Sequence, residues 1–211
     1  MTKKIVCFSD MHGQQSKKLT QWFMDHPADI LLFAGDIQKN HFDDGKEFVE
    51  WLSMLPYKNK VIIFGNHDGN YEYTEEYAKE YEEITILNNS SITIDGINIY
   101  GSPHSLIFGN WWFQKTEQEL EELYKQIPNN TNIIMTHSPV FGILDKTIDG
   151  RLTGSMSLLK RIQELPKLKY HVGAHIHEAK GIVKIDNVTY INASLLDEKY
   201  RLVNDPVLFE Y

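Results

Sequence analysis

The chain has 211 residues, 42% apolar and 24% charged, with a formal net charge of −8 at pH 7. That length suits one sizeable domain with a single core, and the acidic balance argues against a bulk nucleic-acid binder, which needs a basic face. One cysteine, Cys7, excludes a disulfide framework or a cysteine zinc site within one chain, and three arginines (Arg151, Arg161, Arg201) are too few for an arginine-built phosphate site.

The apolar run that opens the chain, 4–9, reads as a buried strand and stops at Asp10. It is too short for a signal peptide, and no later stretch is long enough to span a membrane, so a cytoplasmic protein without membrane contact is expected. Asp10-Met11-His12-Gly13 follows, then a helix over 16–26 with Leu19, Trp22 and Phe23 on one face. A second buried strand over 29–34 ends in Gly35-Asp36. The spacing of Phe48, Trp51, Leu52 and Leu55 predicts a helix over 42–55. A third strand, 60–64, ends in Phe64-Gly65-Asn66-His67-Asp68. This β-α-β-α-β order predicts a parallel sheet covered by helices.

An acidic helix over 71–83 carries Tyr73, Tyr77 and Tyr81 as a packing stripe. The period then changes to two, and 91–94 and 97–100 flank Asp95-Gly96, a hairpin signal. Gly101-Ser102-Pro103-His104 leads into the aromatic loop 109–113. A helix over 116–126 precedes a strand over 132–135 that ends in Thr136-His137-Ser138-Pro139. A helix over 155–165 precedes a strand over 169–174 running into His175-Ile176-His177-Glu178. Strands over 181–185, 188–192 and 206–211 close the chain. No linker, repeat or low-complexity segment interrupts it, so residues 1–211 are expected to form a single domain.

The residues at the carboxyl ends of the buried strands are not ordinary turn residues. They are Asp10 and His12, then Asp36, then Asn66, His67 and Asp68, then His137, then His175 and His177, and this edge is where open α/β sheets place their sites. Five of the nine histidines fall there. In Asp10-x-His12 and His175-x-His177 the spacing of two puts both side chains on one side of an extended backbone. Such a mixed nitrogen and oxygen shell suits Zn²⁺, Mn²⁺ or Fe, whereas Ca²⁺ prefers oxygen alone. Asp10, His12, Asp36, Asn66, His137, His175 and His177 are too many ligands for one tetrahedral ion. Two ions sharing one carboxylate account for all seven and would offset half of the negative charge.

Asp10-x-His12, Gly35-Asp36, Gly65-Asn66-His67-Asp68, His137 and His175-x-His177 together resemble the calcineurin-like metallophosphoesterases, over nearly the whole chain. Gly101-Ser102-Pro103, Trp111-Trp112-Phe113-Gln114 and Thr136 through Asp145 are similar to the small branch that includes the metallophosphoesterase-domain-containing (fetal-brain 239-type) proteins. Ala174 stands where that branch usually has Gly, and Val140 where a second Pro is common. The resemblance implies an α/β fold, a β-sandwich of two mixed sheets flanked by helices in four αββα layers, with the hairpins supplying the second sheet. It implies two divalent ions, Mn²⁺ first with Fe or Zn²⁺ as alternatives. Asp10, His12, Asp36 and His177 would hold one ion, and Asp36, Asn66, His137 and His175 the other, with Asp36 as the bridge.

Two ions about 3.5–4 Å apart can share a water and lower its pKa for in-line attack on phosphorus. His67, not needed as a ligand, is then expected to be the general acid, with Asp68 orienting its imidazole. Gly35-Asp36 runs into Ile37-Gln38-Lys39-Asn40 rather than the Asp-Arg-Gly of the phosphoprotein phosphatases, which argues against a protein substrate. The expected substrate is a small phosphodiester such as a cyclic or 2′,3′-cyclic nucleotide, with His104, Asn110, Trp111 and Trp112 lining its pocket. A phosphomonoesterase and a non-catalytic scaffold on the same fold are the alternatives. His26, His41 and His171 are read as surface or structural. The oligomeric state is not legible.

Overall fold

The computed structural model describes residues 2–39 and 45–211. The first three strands are β1 (Lys4–Phe8), β2 (Ile30–Ala34) and β3 (Asn59–Ile63), joined through helices α1 (Lys17–Asp25) and α2 (Lys46–Ser53). They pair in parallel in the order β1-β2-β3. Both faces of these strands are covered, as continuous apolar runs require in a parallel sheet. Val6, Phe8, Leu31, Phe33 and Ile62 pack with Leu19, Phe23, Phe48 and Leu52 of the two helices. The alternate residues Ile5, Cys7, Ile30, Leu32, Ala34, Val61 and Ile63 point the other way and meet the second sheet.

After helix α3 (Tyr71–Ala78), strand β4 (Ile84–Ile86) extends the first sheet in parallel beyond β3. The last strand, Val207–Glu210, closes its other edge antiparallel to β1. The second sheet has a parallel centre. Strands β5 (Ser90–Ile94) and β6 (Ile97–Ser102) form the expected hairpin, with Asp95 and Gly96 both at positive φ as a primed two-residue turn demands. Further along the chain come β7 (Ser105–Leu106), β8 (Gln114–Lys115), helix α4 (Glu117–Tyr124), β9 (Ile133–Thr136), helix α5 (Met156–Glu164), β10 (Tyr170–Gly173), β11 (Gly181–Ile185) and β12 (Val188–Asn192). The sheet order is β11-β12-β10-β9-β6-β5. The hairpins do enter the second sheet as expected, and β9 and β10 join them there. Each hairpin lends one strand to the edge and one to the parallel centre, where β9 and β10 lie between β6 and β12. Tyr100, Ile134 and Tyr190 on the outer face pack with Leu120, Tyr124, Leu158 and Ile162 of α4 and α5, completing the four layers.

Two local expectations change. The acidic helix stops at Ala78, and of its tyrosine stripe only Tyr77 and Tyr81 pack on the core, while Tyr73 faces solvent. The aromatic loop is closed by β7 and β8, which pair in parallel. The predicted helix start at Phe42, and His41, lie outside the described residues. Among the described residues no helix is long and apolar enough to cross a membrane.

Candidate metal centre

The strands of the two sheets deliver the predicted side chains to one place. Among the described residues three groups each bring their ligand atoms within 4.8 Å of one another: Asp10, His12 and His177; Asp10, Asp36 and His137; and His12, Asp36 and His67. Asn66 Oδ1 lies 2.9 Å from His137 Nε2, and the His175 ring centroid lies 5.1 Å from that of His137. All seven expected ligands therefore converge, and Asp36 stands between the two halves, its Oδ2 3.6 Å from His12 Nε2 and 3.4 Å from His137 Nε2.

Backbone conformation is what turns strand ends into a site. Asp10, His12, Asp36 and His175 all have positive φ, between 43° and 75°. Residues with a Cβ adopt this region at a cost, and such outliers concentrate where a side chain must be aimed. Two glycines let the loops approach. A Cβ on Gly35, itself at φ 96°, would sit 2.6 Å from the Phe64 carbonyl oxygen and 2.8 Å from His137 Nδ1. A Cβ on Gly65 would collide with the Asp36 carboxylate.

The donor set fits a divalent transition metal. His12, His137 and His177 each use Nδ1 on a backbone carbonyl, those of Gln38 (3.1 Å), Ala34 (3.0 Å) and Asp197 (3.0 Å). With the proton held at Nδ1, the Nε2 lone pair would be the ligand, the arrangement typical of metal-bound histidine. Asp10 Oδ1 and His12 Nε2 are buried and make no hydrogen bond among the described residues. A buried acceptor without a donor costs free energy that a cation recovers.

The electrostatics carry the same mark. Burial disfavours the charged carboxyl of Asp10, yet His177 and His137 hold it well below the usual range; Asp36 is likewise held low, chiefly by His137. Burial opposes the charged imidazoles too, but Asp36 lifts His137 to about 9 and Asp10 lifts His177 to about 9. Burial holds His12 below its ordinary value, and burial with the His137 charge takes His175 to about 3. At neutral pH the metal-free cluster thus carries protons on His137 and His177 that a metal must displace. Loading at neutral pH is expected to release roughly two protons per chain, so that affinity falls on acidification and rises towards pH 9. Calorimetric titration of Mn²⁺ in buffers of different ionisation enthalpy counts these protons; release of none would contradict ligation by charged histidines.

Asp68 departs from its expected role. It is fully buried, and its carboxylate accepts from four backbone N–H groups: Asp36 (3.2 Å) and Gly65 (2.7 Å) on Oδ2, Ile37 (2.9 Å) and Gln38 (3.1 Å) on Oδ1. Four donors fill the acceptor positions of a carboxylate. Asp68 therefore fastens the loop after β2 to the turn after β3 rather than orienting His67. Burial, aided by the Asp36 charge, pushes it up to about 7 against the pull of those N–H groups. His67 is positioned otherwise: its backbone N–H donates to Asp36 Oδ1 at 2.8 Å, and its ring lies edge-on to His12 at 4.5 Å and 4.6 Å from Trp111.

The expected pocket residues separate. Trp111 reaches the site through His67. Trp112 is 47% exposed and tied to the site by its backbone, its N–H donating to the Asn66 carbonyl at 3.2 Å. Asn110 is exposed on the loop. His104 is buried against Phe113, where burial takes it down to about 4, and its contacts are with Phe113, Ser102 and the Lys115 and Glu119 charges rather than the cluster. His26 stacks on Trp22 at 4.0 Å, and buried His171 bonds Thr136 Oγ1 at 2.8 Å, so both are structural as expected. Sequence reasoning missed Tyr200, whose ring centroid lies 4.9 Å from His12, 5.1 Å from His177 and 6.3 Å from His67. It sits at φ 58° in a turn knotted by Asp197 and Arg201. No strand end precedes it, so only the Asp197-x-x-x-Arg201 spacing hinted at order there.

Residues 3–179 match the family model of calcineurin-like phosphoesterases. The chain belongs to that family. It is accordingly a metal-dependent phosphoesterase, and the cluster above is its candidate metal centre. A UPF0046 protein of Caenorhabditis elegans is 32% identical, with 98% of this chain and 80% of the relative covered. The human metallophosphoesterase domain-containing protein 1 is 30% identical, with 98% and 70% covered. A dimetal phosphatase from Danio rerio has a similar fold, with a TM-score of 0.58 at 10% identity over 90% of this chain and 86% of that one.

Proposed function

We propose that this phosphoesterase hydrolyses a small phosphodiester, a cyclic or 2′,3′-cyclic nucleotide being the leading candidate. The observation that carries the reading is the convergence of seven ligand side chains with a further histidine, His67, beside His12 and the shared Asp36. On this reading Asp10, His12, Asp36 and His177 hold one divalent ion and Asp36, Asn66, His137 and His175 the second. Bound ions supply an activated water and neutralise phosphoryl oxygens, which a chain with three arginines does not do by itself. His67 gives its imidazole proton to the departing ester oxygen. Trp111 packs on that ring and limits its rotation, and Tyr200 covers His12 and His177 from the side of the last loop. The inter-sheet core, which joins Ile5 to Val207, supports a single domain over 1–211.

The test is hydrolysis of a panel of cyclic nucleotides, diesters and monoesters with added Mn²⁺, with and without chelator. Chelator-sensitive turnover of diesters above monoesters is expected; monoester preference would overturn the diester assignment, and no turnover by protein holding two ions would favour a scaffold. His67→Ala is expected to lower kcat by about 10²–10⁴ on substrates with poor leaving groups, and less with p-nitrophenolate, because general acid catalysis matters most where the leaving oxygen needs a proton. Metal content, read by elemental analysis, should stay near that of the wild-type protein. Loss of metal would instead make His67 a ligand, which its place beside His12 and Asp36 makes a real alternative to exclude.

A further inference from the structure

On the His175 side of the cluster a cavity of about 370 Å³ opens between the segment after β6 and the loop before α5. That volume lies in the range of small-molecule sites. Its walls include Ser105, Phe108, Thr147, Arg151, Thr153 and His175, so a predicted metal ligand forms one side of it. Phe108 is 54% exposed, yet its ring centroid lies only 5.0 Å from that of His175. Trp111 stacks on the ring from another side at 6.1 Å, and the part that stays exposed can serve as a stacking platform, since every nucleobase offers a π-face. Ser105 is 1% exposed, lines the same cavity, and its hydroxyl has no hydrogen-bond partner among the described residues. An unmade bond of that kind is costly to leave and points to a ligand atom.

The far wall is built rather than loose. Asp145, 1% exposed, accepts from the N–H groups of Gly142 (3.0 Å) and Gly154 (2.9 Å), and Glu178, next to His177, accepts from the Ile148 N–H at 2.7 Å. The loop bearing Thr147 and Arg151 is thereby pinned to the strand end that supplies the ligands. Arg161 and Arg201 are committed elsewhere, to Glu164, Asn129 and the Ile127 carbonyl and to Asp197 respectively. Arg151 is bonded through Nε to Asp149 and brings its cation to the cavity.

We infer that this cavity takes the nucleobase of a nucleotide ester, with the base on Phe108 and its polar edge towards Ser105, Thr147 and Thr153. The inference rests on the diesterase reading and moves the base from the Trp111–Trp112 pair to Phe108, which lies between Trp111 at 6.1 Å and His175 at 5.0 Å.

The test uses the full chain loaded with Mn²⁺. Turnover is measured on 2′,3′-cyclic AMP and on glycerol 1,2-cyclic phosphate, which has the same five-membered ester without a base, and AMP binding is measured separately by calorimetry. Phe108→Ala is expected to raise both the KM for the cyclic nucleotide and the Kd for AMP about tenfold, the order expected for one stacked base. kcat, metal content and the glycerol ester should change less than about twofold. Phe108→Tyr, which keeps the ring, should restore both constants, and Ser105→Ala should raise them by a smaller factor. Phe108→Ala with unchanged KM and Kd overturns the cavity assignment while leaving diester hydrolysis intact. AMP binding that Phe108→Ala weakens, in a protein that hydrolyses no diester, keeps the cavity and overturns the diesterase reading.

Discussion

Asp68→Ala is expected to be the most destabilising single change at the site, although Asp68 neither holds metal nor touches substrate on the reading above. The substitution orphans the N–H groups of Asp36, Ile37, Gln38 and Gly65, none of which has another backbone partner among the described residues. Each buried orphan costs roughly 1–3 kcal/mol, and with some rewetting of the loops the sum is on the order of 4 kcal/mol. For a chain of this length that corresponds to a melting temperature lower by about 8–16 °C. Asp68→Asn should lose about half as much, because its amide turns two donors against two N–H groups while its oxygen still serves the other pair. Metal affinity should fall in both variants, since the bonds to the Asp36 and Ile37 N–H groups flank the positive φ of Asp36. Thermal denaturation of the metal-free proteins reads the effect. A wild-type-like melting temperature for Asp68→Ala would return Asp68 to the role of orienting His67.

Asp36→Asn is expected to do the opposite: to empty the site with little effect on the metal-free fold. The amide keeps the oxygen that receives the His67 N–H, so the turn survives. What disappears is the one negative charge shared between the two halves, lying within 3.6 Å of His12 and His137. Metal content after dialysis should drop from about two ions to one or fewer, and diester hydrolysis by at least about 10³, more than loss of an outer partner costs a metal site. The buried surroundings already include the Asp10 and Asp68 carboxyls, which the Asp36 charge opposes. Removing it relieves that repulsion while losing the attraction to His137. The metal-free melting temperature should therefore stay within about 3 °C of wild type, the equivalent of roughly 1 kcal/mol. Mn²⁺ should raise the wild-type melting temperature and leave the variant's unchanged; a full metal complement in Asp36→Asn would remove Asp36 from the bridging position.

The contrast between these two carboxylates marks the limit of what the chain discloses by reading. Sequence spacing was enough for the alternating strands, the amphipathic helices, the Asp95-Gly96 turn and the set of residues that would meet at the strand ends. Those features follow from local rules: two-residue side-chain periodicity, apolar runs and turn chemistry. The same rules put His67 and Asp68 side by side, and adjacency suggested a dyad. Only the tertiary structure decided otherwise, because the donors that claim Asp68 come from the loop after β2, some thirty residues earlier in the chain. The cavity proposed for the base was hidden for a similar reason. Trp111 and Trp112 are conspicuous in the sequence, but the pairing of β7 with β8 sets the path of the loop that carries Phe108, and Phe108 is the ring placed beside His175. Nor could spacing find Tyr200, which reaches the histidines through the turn after β12. Which residues would gather was a property of strand ends and so legible. Which of them bond to one another depended on contacts between distant loops, and those exist only once the two sheets have closed on their shared core.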